Sequence, residues 1–233
     1  IQYAIDKGAH ITSNSWGGGG YSQSLYEAIA AANEAHQLFV AAAGNDSENT
    51  DDWAHYPSSM GLPNIISIAA TDHNDELADF SNWGLESVDL AAPGVAILST
   101  IPGNSYYLKS GTSMATPHVA GVAGLLLANS PGTNYLDIKN NLLNSVDSVE
   151  ALQGLMVSGG RLNAHKALLL AEPDSIPPDP VTDLSIVLVG SNWMDLRWIA
   201  TGDDGDSGRA TFYDLRYSTC LLYTSDAADE SVG

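Results

Sequence analysis

Residues Ser110 to Gly121 read SGTSMATPHVAG. A serine, Ser113, stands among small neighbours just ahead of an apolar, helix-prone run. A serine hydroxyl is a weak nucleophile at neutral pH. It needs a base for its proton and donors for the oxyanion that forms when it attacks a carbonyl. The string supplies part of the second need. The pattern predicts a helix from about Ser113 to Asn129, so Ser113 falls near an N-terminus, where unpaired N–H groups and the dipole favour negative charge. Gly111 and Ala115 leave room for a substrate backbone. Pro117 is expected within the first helical turn or so, where its missing N–H matters least. Taken alone, Thr112-Ser113 before a helix reads first as an N-cap.

Working outward, strands and helices alternate. IQYAID is a short amphipathic helix piece, and AHITSNSW alternates like a strand until Gly17 to Gly20 end it. In YSQSLYEAIAAANEAHQ, Leu25, Ile29 and Ala32 share one helical face. LFVAAAG is a short, wholly apolar strand of the buried parallel type, and NIISIAATD reads as another buried parallel strand. VDLAAPGVAILST is extended and broken at Pro93-Gly94. After the Ser113 helix come two more, YLDIKNNLLNSV and LNAHKALLLAE. This order predicts an α/β fold, a parallel sheet covered on both faces.

At EPDSIPPDPVTD the composition changes. Four prolines within residues 173–180 read as a stiff interdomain linker. LSIVLVG, WMDLRWIAT and TFYDLRYS beyond it are strand-like and open an all-β module.

The chain has 233 residues, 44% of them apolar, enough to bury a sizeable core. No apolar run approaches the length of a membrane span. The opening IQYAIDKGAHI reads as the middle of a fold, with the N-terminus a cut. A formal charge of −20 excludes nucleic-acid binding, which requires a basic face. It reads as a solubility feature, with carboxylate clusters for calcium as the sharper alternative. The single cysteine, Cys220, excludes an internal disulfide framework.

SGTSMATPHVAG resembles the nucleophile segment of the subtilisin-like serine proteases, the subtilases. The resemblance continues in order along residues 1 to about 171. NSWGG is similar to the family's substrate-binding strand and AAAGND to its oxyanion segment; LAAPGVAILST with PGNSYYLKSGTSMA matches the approach to the nucleophile, and GGRLNAHKAL the last helix. It implies Ser113 as nucleophile and Asn45 as oxyanion-hole amide, with the Ser113 N–H as second donor. Asn45 follows LFVAAAG, at the strand end where open α/β sheets place their sites, although alone it reads as a turn residue in GND. Ser15, Trp16 and Gly17 match the strand that pairs with an extended polypeptide substrate, and Ala41 to Gly44, with Ala42 and Gly44 as binding residues, the opposite pocket wall. Trp16 is bulky there and reads equally as a wall of the pocket or as a core residue. No organic cofactor is implied; structural calcium is common in the family, without ligands assigned here. Secretion is implied, and oligomeric state is not.

The base is missing. His10, His36, His55, His73, His118 and His165 lie outside any HGTH-like setting. Five residues at about 100° each put His118 about 140° around the helix from Ser113. The others are expected in surface or packing roles. In the family order of Asp, His, Ser, both missing members fall upstream of Ile1. The chain is therefore expected to be the C-terminal portion of a subtilisin-like catalytic domain (1–172), incomplete at its N-terminus and inactive alone. Residues 181–219 resemble the start of a fibronectin type III sandwich, with Trp198 as its core tryptophan and Tyr213 and Leu215 on the third strand. GDDGDSG lacks a full calcium-loop pattern and reads as an acidic solvated loop. Cys220 to Glu230, CLLYTSDAADE, reads as translated sequencing adapter (TGT CTC TTA TAC ACA TCT, then GAC GCT GCC GAC GA) extending through Gly233; the alternative is a native strand CLLYTS. Two rival functions exist. An α/β-hydrolase esterase needs G-x-S-x-G, and the fifth residue of GTSMA is Ala115. A non-catalytic scaffold of subtilase fold is opposed by intact Ser113 and Asn45.

Overall fold

The computed structural model describes residues 1–171, 181–190 and 193–199. The chain divides into two compact units, Ile1–Glu172 and Pro173–Gly233. The Pro-rich linker 173–180, the GDDGDSG loop, Tyr213, Leu215 and the Cys220 tail lie outside the described residues.

Strands β1 (Ile11–Asn14), β2 (Leu38–Ala42), β3 (Ile65–Thr71) and β4 (Leu90–Pro93) run parallel in that order. Every residue of β2 and β3 is buried, which is why β2 is a continuous apolar run and β3 is one broken only by Ser67 and Thr71, rather than alternating sequences. The register pairs Ile11 with Leu38, Phe39 with Ile65 and Ile68 with Leu90. Two short strands absent from the sequence reading, β7 (Asp147–Ser148) and β8 (Gly160–Arg161), extend the sheet beyond β4, β7 antiparallel to β8.

Alternate residues of the central strands serve two cores. Leu38, Val40, Ile66, Ile68 and Leu90 face Val119, Val122 and Leu126 of helix α3 (Thr112–Asn129). Helices α4 (Tyr135–Asn144) and α5 (Ala164–Leu170) flank α3. On the other face Ile29 of α2 (Gln23–Glu34), beside the short α1 (Gln2–Asp6), covers Phe39, Ala41 and Ile65; further along, Leu152 and Met156 cover Ala43, Ala69 and Ala91. Each fully buried Leu, Ile or Phe contributes about 1.5–3 kcal/mol, so this double-sided burial holds the sheet's C-terminal edge, and the loops leaving it, in place.

Between β4 and α3 lies a hairpin, β5 (Ile97–Ile101) and β6 (Ser105–Lys109). Its turn, Pro102-Gly103-Asn104, uses positive φ at Gly103 (89°) and Asn104 (55°). The sequence reading found β5 and not β6. In the second unit β9 (Ser185–Val189) and β10 (Met194–Arg197) pair antiparallel, Val189 opposite Met194.

Helix α3 departs from expectation at two points. Its N-cap is Gly111, so Thr112 and Ser113 are inside the first turn and neither caps it. Pro117 is the sixth helical residue rather than a first-turn one. Its missing N–H leaves the Ser113 carbonyl without a helical donor, and the Ser15 hydroxyl donates to that carbonyl at 2.8 Å instead.

Candidate active site

Beyond β2 the chain turns at Gly44 (φ 109°) and brings Asn45 to the start of α3. Asn45 Oδ1 accepts the Thr112 N–H at 2.8 Å and the Thr112 hydroxyl at 3.0 Å. A side chain from a neighbouring loop thus replaces the local cap that Gly111 lacks. A backbone N–H can only donate, so the amide oxygen must face it, and Asn45 Nδ2 is left to donate elsewhere. Ser113, one residue on, directs its hydroxyl to the Ser15 carbonyl at 3.4 Å, while Ser15 returns the bond to Ser113 described above. Two backbone segments, 98 residues apart, are laced together at the nucleophile position.

Ser15, Trp16, Gly17, Ala42, Gly44, Asn45 and Ser113 all line one cavity of about 310 Å³. Ala41 and Ala43 do not. Strand alternation turns Ala41 toward Ile29 and Phe39, and Ala43 toward Val88 and Leu152, so only Ala42 and Gly44 of that wall reach the cavity. Trp16 is 46% exposed, its ring edge-on to Phe39 at 6.2 Å, and it forms cavity wall rather than core.

Two residues at the site escaped the sequence reading. Asn82, fully buried, accepts the Asp46 and Glu48 N–H groups at 2.8 and 3.2 Å and donates to the Ala43 carbonyl at 3.0 Å. It braces the loop that carries Asn45. Asn82→Ala orphans several buried groups, each worth about 1–3 kcal/mol, so the expected result is a loss of about 2–3 kcal/mol in thermal or denaturant unfolding. An unchanged melting profile would remove Asn82 from this bracing role. The second residue is His55, expected in a surface or packing role and found lining the cavity. It lies in a loop with no periodicity, so no local signal places it there.

The remaining histidines stay away. His118 Nδ1 turns back to the Met114 carbonyl of its own helix at 2.8 Å, and the His36 ring lies 6.3 Å from that of Tyr135. Among the described residues no imidazole hydrogen-bonds to the Ser113 hydroxyl. Among them, too, no group of three or more carboxylate, imidazole or thiol side chains gathers to hold a metal ion.

A serine in the first turn of a helix, beside a fixed side-chain amide at the C-terminal edge of a parallel sheet, is the layout of a serine hydrolase site. The family model for the subtilase family matches residues 1–164, and the chain belongs to that family. Relatives include thermitase of Thermoactinomyces vulgaris, 42% identical over 168 residues, covering 72% of this chain and 57% of thermitase. Subtilisin BL of Lederbergia lenta is 35% identical over 167 residues, covering 72% of this chain and 59% of its own length. Among solved structures the protease domain of PatA superposes with a TM-score of 0.63 at 32% identity, over 73% of this chain and 62% of that one. The chain therefore spans less than two thirds of the length of these relatives.

Proposed function

We propose that the whole protein is a serine endopeptidase that cleaves polypeptides through an acyl-enzyme. The observation that carries this reading is the fixed Asn45 amide beside Ser113. An extended substrate pairs its backbone with Ser15 to Gly17 and sends the side chain before the scissile bond into the cavity. Ser113 Oγ attacks the carbonyl. Its proton passes to an imidazole from outside these residues, oriented by an aspartate. Asn45 Nδ2 and the Ser113 N–H, exposed at the helix N-terminus, hold the oxyanion. The imidazolium returns the proton to the leaving nitrogen, collapse expels the amine and leaves an ester on Ser113, and water hydrolyses that ester by the same route.

The reading of residues 181–219 as the start of a fibronectin-like module is supported by the antiparallel β9–β10 pair and the division of the chain at Glu172. Such a module suits a secreted enzyme; among the described residues no helix is long and apolar enough to cross a membrane.

The test is covalent. A fluorophosphonate incubated with the whole protein is expected to add to the tryptic peptide carrying Ser113, with parallel loss of casein hydrolysis. Labelling at another serine, or none, refutes the reading.

A further inference from the structure

We propose that His55 selects the substrate side chain that enters the cavity, favouring tips that donate a hydrogen bond, such as those of glutamine and lysine. The inference rests on the endopeptidase reading above and specifies its substrate class.

The geometry places the imidazole edge across the cavity. A Cβ built on Gly17 would lie 2.3 Å from His55 Cε1 and 3.1 Å from Nε2. One built on Gly44 would lie 2.7 Å from Cδ2 and 2.9 Å from Nε2. Gly17 and Gly44 belong to opposite walls, so the ring spans the gap between them, with Nε2 at its middle. Glycine at both positions is what lets the ring fit, since any side chain there would collide with it.

The opposite side of the ring fixes its tautomer. The Ser58 hydroxyl donates its one proton to the His55 carbonyl at 2.8 Å. The same oxygen lies 3.2 Å from His55 Nδ1, and with its proton committed it can only accept there. Nδ1 therefore carries the hydrogen and, in the neutral ring, Nε2 is a bare lone pair. Nε2 has no hydrogen-bond partner among the described residues. Burial lowers the imidazole's affinity for a proton below the ordinary histidine range, with the Asp46 and Glu48 carboxylates opposing this. The ring is thus neutral at and above neutral pH. Asp46 itself lines the cavity, so the acceptor sits in a negative field. A donor tip satisfies the lone pair, a thioether leaves it unsatisfied, and a carboxylate is repelled by both lone pair and field.

The experiment uses the whole protein and a series of internally quenched peptides identical except for Gln, Met, Lys, norleucine or Glu before the scissile bond. At pH 8, kcat/KM is expected to favour Gln over Met by about 10-fold and Gln over Glu by about 100-fold. Lys should exceed norleucine. His55→Phe, which keeps a flat ring and removes the acceptor, should bring Gln and Met within about 3-fold, and His55→Gln, which restores an acceptor, should recover part of the preference. In the unsubstituted protein the Gln-to-Glu ratio should fall as pH drops through the ring's titration, because protonated Nε2 becomes a donor. That readout stands even where a variant misfolds. Turnover without discrimination among the five peptides, or a preference for Glu at pH 8, overturns this inference alone. Failure to turn over any of them refutes the endopeptidase reading, and this inference with it.

Discussion

In the whole protein, under the endopeptidase reading, Ser113→Ala is expected to lower kcat for peptide hydrolysis by about 10⁶-fold and Asn45→Ala by about 10²–10³-fold, with the double variant no slower than Ser113→Ala alone. These magnitudes are those of subtilisin-type enzymes. The non-additivity follows from the structure. Asn45 Nδ2 is free to donate because Oδ1 is held by Thr112 at 2.8 and 3.0 Å. Its gain is realised only when Ser113 Oγ has attacked and the carbonyl oxygen has become negative. Without the nucleophile the residual hydrolysis goes by attack of water, which is not held at the Ser113 Oγ position, so the oxyanion it forms is not aimed at the amide and the Asn45 contribution is lost. KM is expected to stay within about 3-fold in Asn45→Ala, since ground-state binding uses the segment Ser15–Gly17 and the cavity instead. Kinetics on a chromogenic peptide check all three variants. A double variant slower than Ser113→Ala by the full Asn45 factor would mean that the two side chains act at separate places.

How much of this was legible beforehand depended on whether the determining contacts were local. The apolar run Leu38–Ala42 and the predominantly apolar Ile65–Thr71 announce buried parallel strands, because burial on both faces removes any need for alternation. The candidate site residues of SGTSMATPHVAG and AAAGND stand out in the sequence because they lie in contiguous strings, and the structure brings Ser113 and Asn45 to one cavity. His55 and Asn82 act through partners remote in sequence. Asn82 bonds Asp46 across 36 positions, and His55 fits only because Gly17 and Gly44 leave space. No local pattern encodes either. Strand β6 was missed for a different reason. Pro102-Gly103-Asn104 is a turn signal, but the strand after it, SYYLK, is five residues long, fully exposed and without apolar alternation, so it carries little strand pattern of its own. The placement of Pro117 turned on a helix start one residue earlier than expected and on a tertiary partner, Ser15, that stands in for a missing helical donor.

Lys139→Met is expected to cost about 3–5 kcal/mol of stability, a fall in Tm of about 10 °C for a domain of this size. Lys139 projects from α4, with Ile138 and Leu142 anchoring the helix in the core. Its ammonium donates to Asp89 Oδ1 at 3.2 Å and to the Ile65 carbonyl, tying α4 to the start of β3 and the entry to β4. Asp89 Oδ2 accepts the Ser67 N–H at 2.7 Å. The two side chains are only 18% and 14% exposed, so removing the lysine strands a carboxylate that water barely reaches. Burial already pushes the Asp89 carboxyl above the usual carboxylate range, against the opposing pull of Lys139 and the Ser67 N–H; loss of the lysine raises it further. The sign for pH follows. A carboxyl with a folded-state pKa above its unfolded value is least costly to the fold when protonated. Its penalty grows as pH rises from the unfolded value, about 3.9, through the folded one. The deficit of Lys139→Met should therefore be largest at pH 7 and smaller at pH 5, and Lys139→Met with Asp89→Asn should recover much of it by removing the unpaired charge. Melting curves of the whole protein in a Ser113→Ala background, chosen to remove the proposed nucleophile, give the comparison. A Lys139→Met variant within about 1 kcal/mol of its parent at pH 7 would show that the pair behaves like an exposed surface bridge.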